Sequence, residues 1–423
     1  MEQKETKTTT QLKVVDKQKR NNRHLINIVV ILVITFGYTI YSLWGDLPQV
    51  MEIFTREQGA DYRILAIIVF LIAMRFFIDG VILFFFARLY TPHYKLHRGI
   101  ANGLVGRFYS DITPSSSGGQ FFQVKTFSKQ GIPVAISASI LVMYFILYQS
   151  VSLLMGTAAI FINLEHFSTM QPVILFGLNI PVWVFSLLGF LVNAVAIIGI
   201  FLIAHSIKTH NFLINKGVAI GAKLRLVKDV EKSKAKLHIT FENFRVELRR
   251  LYANIPATIL LVILFFVKFT VDFSFTYFIA IMLDPTLVGT LDYISTVSKS
   301  SFLLMITNIV PIPGAAGFAE YFYELMFHGS FLNKDLHFTK AVQLVWRATL
   351  FYTGLIVGGL VTAFYRSSME EFVDEDGNVK TFIDVQSDTY EERKASSDTA
   401  FLTSQLSISQ IAKKLNPKKG KDK

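Results

Sequence analysis

Apolar residues in this chain come in long uninterrupted blocks, without the alternating or 3.6-residue spacing that marks half-buried strands and amphipathic helices. A helix needs roughly 20 apolar residues to cross a hydrocarbon layer about 30 Å thick. Six stretches are that long: Leu25–Trp44, Ile64–Phe86, Ala135–Ile162, Pro181–Ala204, Ile255–Leu283 and Lys340–Tyr365. Tilt absorbs the excess length of the third and fifth. Two further segments, DITPSSSGGQFFQ (Asp111–Gln123) and NIVPIPGAAGFAE (Asn308–Glu320), interrupt the pattern. Pro114, Pro311 and Pro313 cannot sit in an undisturbed helix, and Gly118, Gly119, Gly314 and Gly317 let backbones approach closely. Both segments therefore read as broken or re-entrant helices. Each opens with Asp or Asn, then Ile, a variable residue and Pro, and each follows a span that carries charge. The expected fold is an all-α integral membrane protein, with about six transmembrane helices and two re-entrant helices arranged as an inverted repeat.

Composition agrees with a membrane class, since 52% of residues are hydrophobic and 14% aromatic. Charge sets the orientation. Seven basic residues precede Leu25, six lie in Ala87–Pro133 and eleven in His205–Asn254, whereas none falls between Lys129 and Lys208. The basic segments belong in the cytoplasm with both termini. The loop around Glu165 and His166, with Gly45–Arg63 and Asp284–Thr339, belongs outside. The net charge of +11 is then a cytoplasmic-face charge facing anionic headgroups, and nucleic acid is not the expected partner. Residues 1–24 form a cytoplasmic N-terminal segment, and a polar stretch this long before Leu25 does not resemble a cleavable signal peptide. Residues 25–365 form the membrane domain, within which residues 205–254 are a basic cytoplasmic linker. Leu237, Phe241, Phe244, Leu248 and Leu251 give Lys232–Leu251 an amphipathic helical face. Residues 366–423 are polar with a basic end and read as a disordered cytoplasmic tail. There is no cysteine, which removes disulfides, thiolate metal sites and cysteine nucleophiles. His93 and His97 stand four apart without a carboxylate partner motif and read as an interfacial pair, so neither a metal nor a cofactor is expected.

The candidate chemistry lies in polar residues that a bilayer should exclude. Arg75 and Asp79 stand one helical turn apart inside the second span, and Lys268 and Asp272 repeat the arrangement inside the fifth. Charges at that depth cost at least ~2.5–3.5 kcal/mol each unless paired or hydrated. They mark either a structural ion pair or a polar cavity. The two broken segments enter from opposite faces, which would bring them together near the midplane. Ser115, Ser116, Ser117 and the Gly118–Gly119 backbone form a helix N-terminus suited to a phosphate, with Arg75, Lys268 or Arg347 supplying charge. Glu320 and Asp79 suit a headgroup amine. The competing reading of the small residues is tight helix packing, as expected for Gly354 and Gly358 in the sixth span.

TPSSSGGQFFQ and PIPGAAGFAE, with Arg347 in the following span, resemble the transmembrane domain of the lysylphosphatidylglycerol synthase/flippase family over roughly Leu25 to Tyr365. Many members read Gly-Gly-Glu with an Arg three residues later in the first motif, where this chain has Gln120 and Gln123. The resemblance implies movement of a phospholipid, aminoacylated phosphatidylglycerol in the type case, from inner to outer leaflet. The type case also has a soluble domain that transfers lysine from charged tRNA, and the segment after Tyr365 is not expected to be that domain. Three readings stay open. One is a flippase for a phospholipid or glycolipid. Another is a membrane enzyme such as a phosphatidylglycerol lysyltransferase, needing Asp79, Asp272 or Glu320 as acid or base. The third is a membrane partner of a separate lipid-modifying synthase. A homo-oligomer is compatible with each.

Overall fold

A computed structural model of the protein describes Gly37 and residues 47–55 and 61–365, the last range with gaps at 92–93, 114–115, 133, 164, 166–171, 176–177, most of 206–252, 308–309, 311 and 332–334. The first predicted span apart from Gly37, most of the amphipathic segment Lys232–Leu251, both terminal segments, and Pro114, Ser115 and Pro311 lie outside the described residues. A short helix α1 (Leu47–Thr55) precedes the first described span, α2 (Tyr62–Arg88). Asp61 caps α2 by accepting from the Arg63 N–H at 3.0 Å, as a helix-starting Asp should. Then follow α3 (Leu96–Asp111), α4 (Ser117–Lys129) and α5 (Val134–Ile162). A three-residue antiparallel pair, Val173–Leu175 with Leu178–Ile180, leads into α6 (Val182–His205). Among the described residues this small strand pair is the one departure from all-α.

The second half repeats the order. Helix α7 (Ile255–Leu283) starts at an Asn254 cap with Pro256 in its first turn. It is followed by α8 (Tyr293–Thr307), a 3-10 turn at Pro313–Ala315, and α9 (Phe318–Phe327). The last predicted span comprises α10 (Leu336–Arg347), a π-helical turn (Ala348–Tyr352) and α11 (Thr353–Phe364). Among the described residues, four continuous helices, α2, α5, α7 and α10 through α11, are long and apolar enough to cross a bilayer.

Each predicted re-entrant segment is a pair of short helices around its Pro/Gly break. With 16 and 13 residues in α3 and α4, and 15 and 10 in α8 and α9, none reaches 30 Å at ~1.5 Å per residue. The packing is two-fold in pattern. Helix α2 packs on α3 and α5 as α7 packs on α8 and α10, while α5 crosses to α8 as α11 crosses to α3. Helices α2 and α7 meet at the centre of this arrangement. Close approach of α2 to α3 depends on small residues, because a Cβ on Gly80 would lie 2.5 Å from the Ile100 Cα. Gly354 and Gly358 lie against α3, the latter with room for no side chain beyond 2.7 Å from the Leu104 carbonyl oxygen.

Burial is inverted relative to a water-soluble protein. On α2, Val69 is 56% and Phe70 61% exposed, whereas Arg75 is 3% exposed. Ile259 and Ile263 on α7, and Ile356, Leu360 and Phe364 on α11, are exposed as well. An apolar exterior around buried charge is stable only where the exterior meets hydrocarbon. Inside, one apolar cluster built on Phe86, Phe127, Phe265, Phe275, Tyr323 and Phe327 joins both halves. At one end, Gln130 ties α4 to three neighbours. Its Nε2 donates to the Arg98 carbonyl and the Tyr365 hydroxyl, and its Oε1 accepts from the Tyr94 hydroxyl at 2.6 Å.

Candidate functional site

The charged spans interlock. Arg75 Nε lies 2.8 Å from Asp272 Oδ1, and Lys268 Nζ lies 3.0 Å from both Asp79 Oδ1 and Asp272 Oδ2. The pairs foreseen within each helix are therefore crossed in space: Arg75 of α2 takes the carboxylate of α7, and Lys268 of α7 takes the carboxylate of α2. Under the two-fold pattern of the fold these cross-pairs map onto each other. Lys268 alone also keeps the carboxylate one turn away on its own helix.

Around this cluster lies a cavity of about 590 Å³. Arg75, Asp79, Lys268 and Asp272 line it, with Arg347 from α10. Ser116, Gln120 and Gln123 reach it from the first broken segment, and Gly314 and Ala315 from the second. Tyr144, Tyr148 and Gln149 of α5 and Trp346 complete a partly aromatic wall. The charged spans and both motifs thus share one cavity.

The other sequence-predicted residues hold the breaks in shape. The Gly118 N–H donates to Thr113 Oγ1 at 2.9 Å, and that hydroxyl donates to the Tyr109 carbonyl at 2.6 Å, so Thr113 caps the start of α4. Gly118 faces the turn after α3 and Gly119 faces α3 itself, where a Cβ would fall 2.6 Å from Thr113 Cγ2 and 1.9 Å from Ser110 Oγ respectively. Ser117 opens the helix. In the second break, Glu320 reaches back to accept from the Gly317 N–H at 2.8 Å, and Arg347 Nε sits 2.8 Å from the other Glu320 oxygen. Arg347 Nη2 donates to the Gly314 carbonyl at 2.9 Å, and its guanidinium lies 4.3 Å from the Phe351 ring centroid. Pro313 begins the 3-10 turn. Ser116 (φ 55°) and Ala315 (φ 48°) both carry a side chain in the left-handed region. Such strain costs about 1–2 kcal/mol per residue and gathers where the surroundings over-determine the backbone, often at functional sites.

Besides the wall residues of α5, Trp346 and Ser110, the site holds an ion pair that was not among the candidates read from sequence, Arg107 with Asp111. Arg107 lines the cavity and pairs with Asp111 at 2.9 Å. Its Nη2 and Arg75 Nη1 both donate to the carbonyl of Leu350, at 3.2 and 2.8 Å. Leu350 lies inside the π-helical turn, the kind of irregularity that changes how main-chain carbonyls are used and recurs at functional sites. Arg107 and Asp111 repeat the four-residue cation-to-carboxylate spacing of the two charged spans. That spacing was the available signal, obscured because α3 is not an apolar block.

A helical bundle that exposes aliphatic and aromatic side chains while enclosing cations and carboxylates around a central cavity is a multi-pass membrane protein with an internal polar site. More particularly, the chain belongs to the family described as the lysylphosphatidylglycerol synthase TM region, whose model matches residues 26–358. No curated protein and no solved structure matches it. The family ties the protein to membrane lipid.

Proposed function

We propose that the protein is a lipid flippase that carries the polar headgroup of a phospholipid, aminoacyl-phosphatidylglycerol or a related glycolipid, from the inner to the outer leaflet. The observation that carries this reading is the shared cavity, lined by both charged spans and both broken segments. Its 590 Å³ corresponds to roughly 20 water molecules at about 30 Å³ each. That suits a headgroup and leaves acyl tails in the surrounding hydrocarbon. Irregular backbone at membrane depth is tolerated where it lines such a space, and paired breaks from repeated halves are the arrangement in which transporter sites form.

The crossed pairs supply a low-cost way to open the α2–α7 interface. If the helices part, Lys268 keeps Asp272, and Arg75 has Asp79 one turn away on its own helix to turn to. Neither cation is then left alone in a low-dielectric interior, where an unpaired charge costs several kcal/mol.

In vesicles of phosphatidylglycerol and phosphatidylethanolamine doped with headgroup-labelled lipid, the protein should speed the exposure of inner-leaflet label to an impermeant quencher. Rates equal to protein-free vesicles for anionic, zwitterionic and glycolipid probes would sink the reading. The orientation that accompanies it puts both termini in the cytoplasm and the hairpin at Leu178 outside. A single cysteine replacing Leu178, which is 65% exposed, should react with an impermeant thiol reagent on intact cells, and protection until lysis would reverse the topology.

A further inference from the structure

The four cations that line the cavity differ in what they can offer a ligand. The side chains of Arg75, Lys268 and Arg347 are 4%, 5% and 5% exposed, whereas that of Arg107 is 29% exposed. Arg75 and Lys268 are consumed by the crossed pairs, and Arg347 braces the second break through Glu320 and the Gly314 carbonyl. Arg107 commits only its Nε to Asp111 and one Nη2 hydrogen to the Leu350 carbonyl among the described residues. A guanidinium carries five N–H donors in a rigid fork. The remaining donors of Arg107 are held by a side chain that borders the cavity and is already fixed at two points.

We propose that Arg107 is the anion anchor of the cavity, gripping the phosphodiester of a lipid headgroup together with the first turn of α4. This rests on the reading of the cavity as a headgroup site. Ser116 and Gln120 line the same cavity from that turn, and Ser110 reaches it from α3 one turn after Arg107. The Gly118 N–H is taken by Thr113, and the helix start adds the positive end of its dipole. Asp111 orients the guanidinium without using up its fork, and charge-assisted forked contacts suit phosphate oxygens. Asp79 and Asp272, the other carboxylates that line the cavity, each contact a cation within 3.0 Å, which lessens their opposition to an anion. Gly354 completes the seat. A Cβ there would come 3.1 Å from Asp111 Oδ2 and 3.4 Å from Arg107 Cγ and Nε, so the absence of a side chain lets the pair lie flat against α11.

The test uses the full-length chain in detergent, measuring retention of phosphatidylglycerol, of diacylglycerol with the same tails, and of inorganic phosphate. Wild type should prefer phosphatidylglycerol over diacylglycerol at least ~10-fold, about the worth of one hydrogen bond to a charged group. Arg107→Gln should remove that preference, and Arg107→Lys should keep only part of it, because it retains the charge and loses the fork. Gly354→Ala leaves every polar group of the site in place and should weaken the preference by displacing Arg107. Each variant is checked for an unchanged size-exclusion profile. A correctly folded Arg107→Gln that keeps the wild-type preference overturns the proposal. Inorganic phosphate binding as tightly as phosphatidylglycerol would overturn the lipid assignment. The underlying reading fails separately: a wild-type protein that holds phosphatidylglycerol through Arg107 yet never accelerates its translocation would refute the flippase and leave the anchor standing.

Discussion

Replacing Lys268 by Gln should cut lipid translocation by at least ~100-fold while most of the protein stays folded in the membrane. Lys268 Nζ sits 3.0 Å from two carboxylates on two helices, so the change strands Asp79 and leaves Asp272 with Arg75 alone. In a dry interior, removing one partner of a buried pair costs about 3–5 kcal/mol. Here Asp79 and Asp272 are 16% and 15% exposed towards the cavity, and water can reach the stranded charge. Folding should therefore be damaged less than transport. The double variant Asp79→Asn with Lys268→Gln separates the two effects, since it removes both members of one crossed pair and leaves Arg75–Asp272 intact. Its thermal stability should return towards wild type while translocation stays lost. Recovery of both together would reduce the pairs to a structural lock, and well-folded single variants with wild-type rates would remove the charges from the transport path.

Gly314→Val is expected to lower stability by roughly 2–5 kcal/mol, from a left-handed backbone (about 1–2 kcal/mol) and an overpacked contact (about 1–3 kcal/mol). The glycine has φ 58°, and a Cβ would fall 2.3 Å from a Phe351 ring carbon. Its carbonyl also receives Arg347 Nη2, so displacing the turn disturbs the cation that braces it. Thermal unfolding followed by size exclusion should show a midpoint lower by roughly 4–10 °C, taking ~2 °C per kcal/mol as for larger domains. Introduced into a Phe351→Ala background, the same change should cost only the backbone share, because the ring that a Cβ would meet is gone. Equal midpoints for Gly314→Val and wild type would mean that the break does not hold this conformation. The glycines of the breaks are thus expected to act first through packing, with transport reached through the shape they enforce.

Much of this architecture is legible in the chain because the bilayer permits few solutions. Spans need long apolar runs, and the predicted Ile64–Phe86 and Ile255–Leu283 agree with α2 and α7 to within two residues at either end. Pro and Gly mark where helices must stop, so both breaks fall within the segments that carry them. Charges inside spans stand out because hydrocarbon makes them costly. The choice of partner is different in kind. Helical periodicity places Arg75 beside Asp79 and Lys268 beside Asp272, and a reading confined to one helix stops there. The crossed pairs depend on where α2 and α7 meet, and that meeting is set by contacts distributed over both halves, among them the close approach of α2 to α3 at Gly80. Arg107 and the Leu350 carbonyl enter the site for the same reason, since residues 243 positions apart become neighbours only when α11 packs on α3. The sequence alone determined the membrane class, the spans that the four long apolar helices of the described residues form and the breaks, since each follows from local solvation and backbone sterics. Which charges meet, and which one remains open to a ligand, was decided by tertiary packing, because ion-pair energy depends on distances and burial that no local pattern encodes.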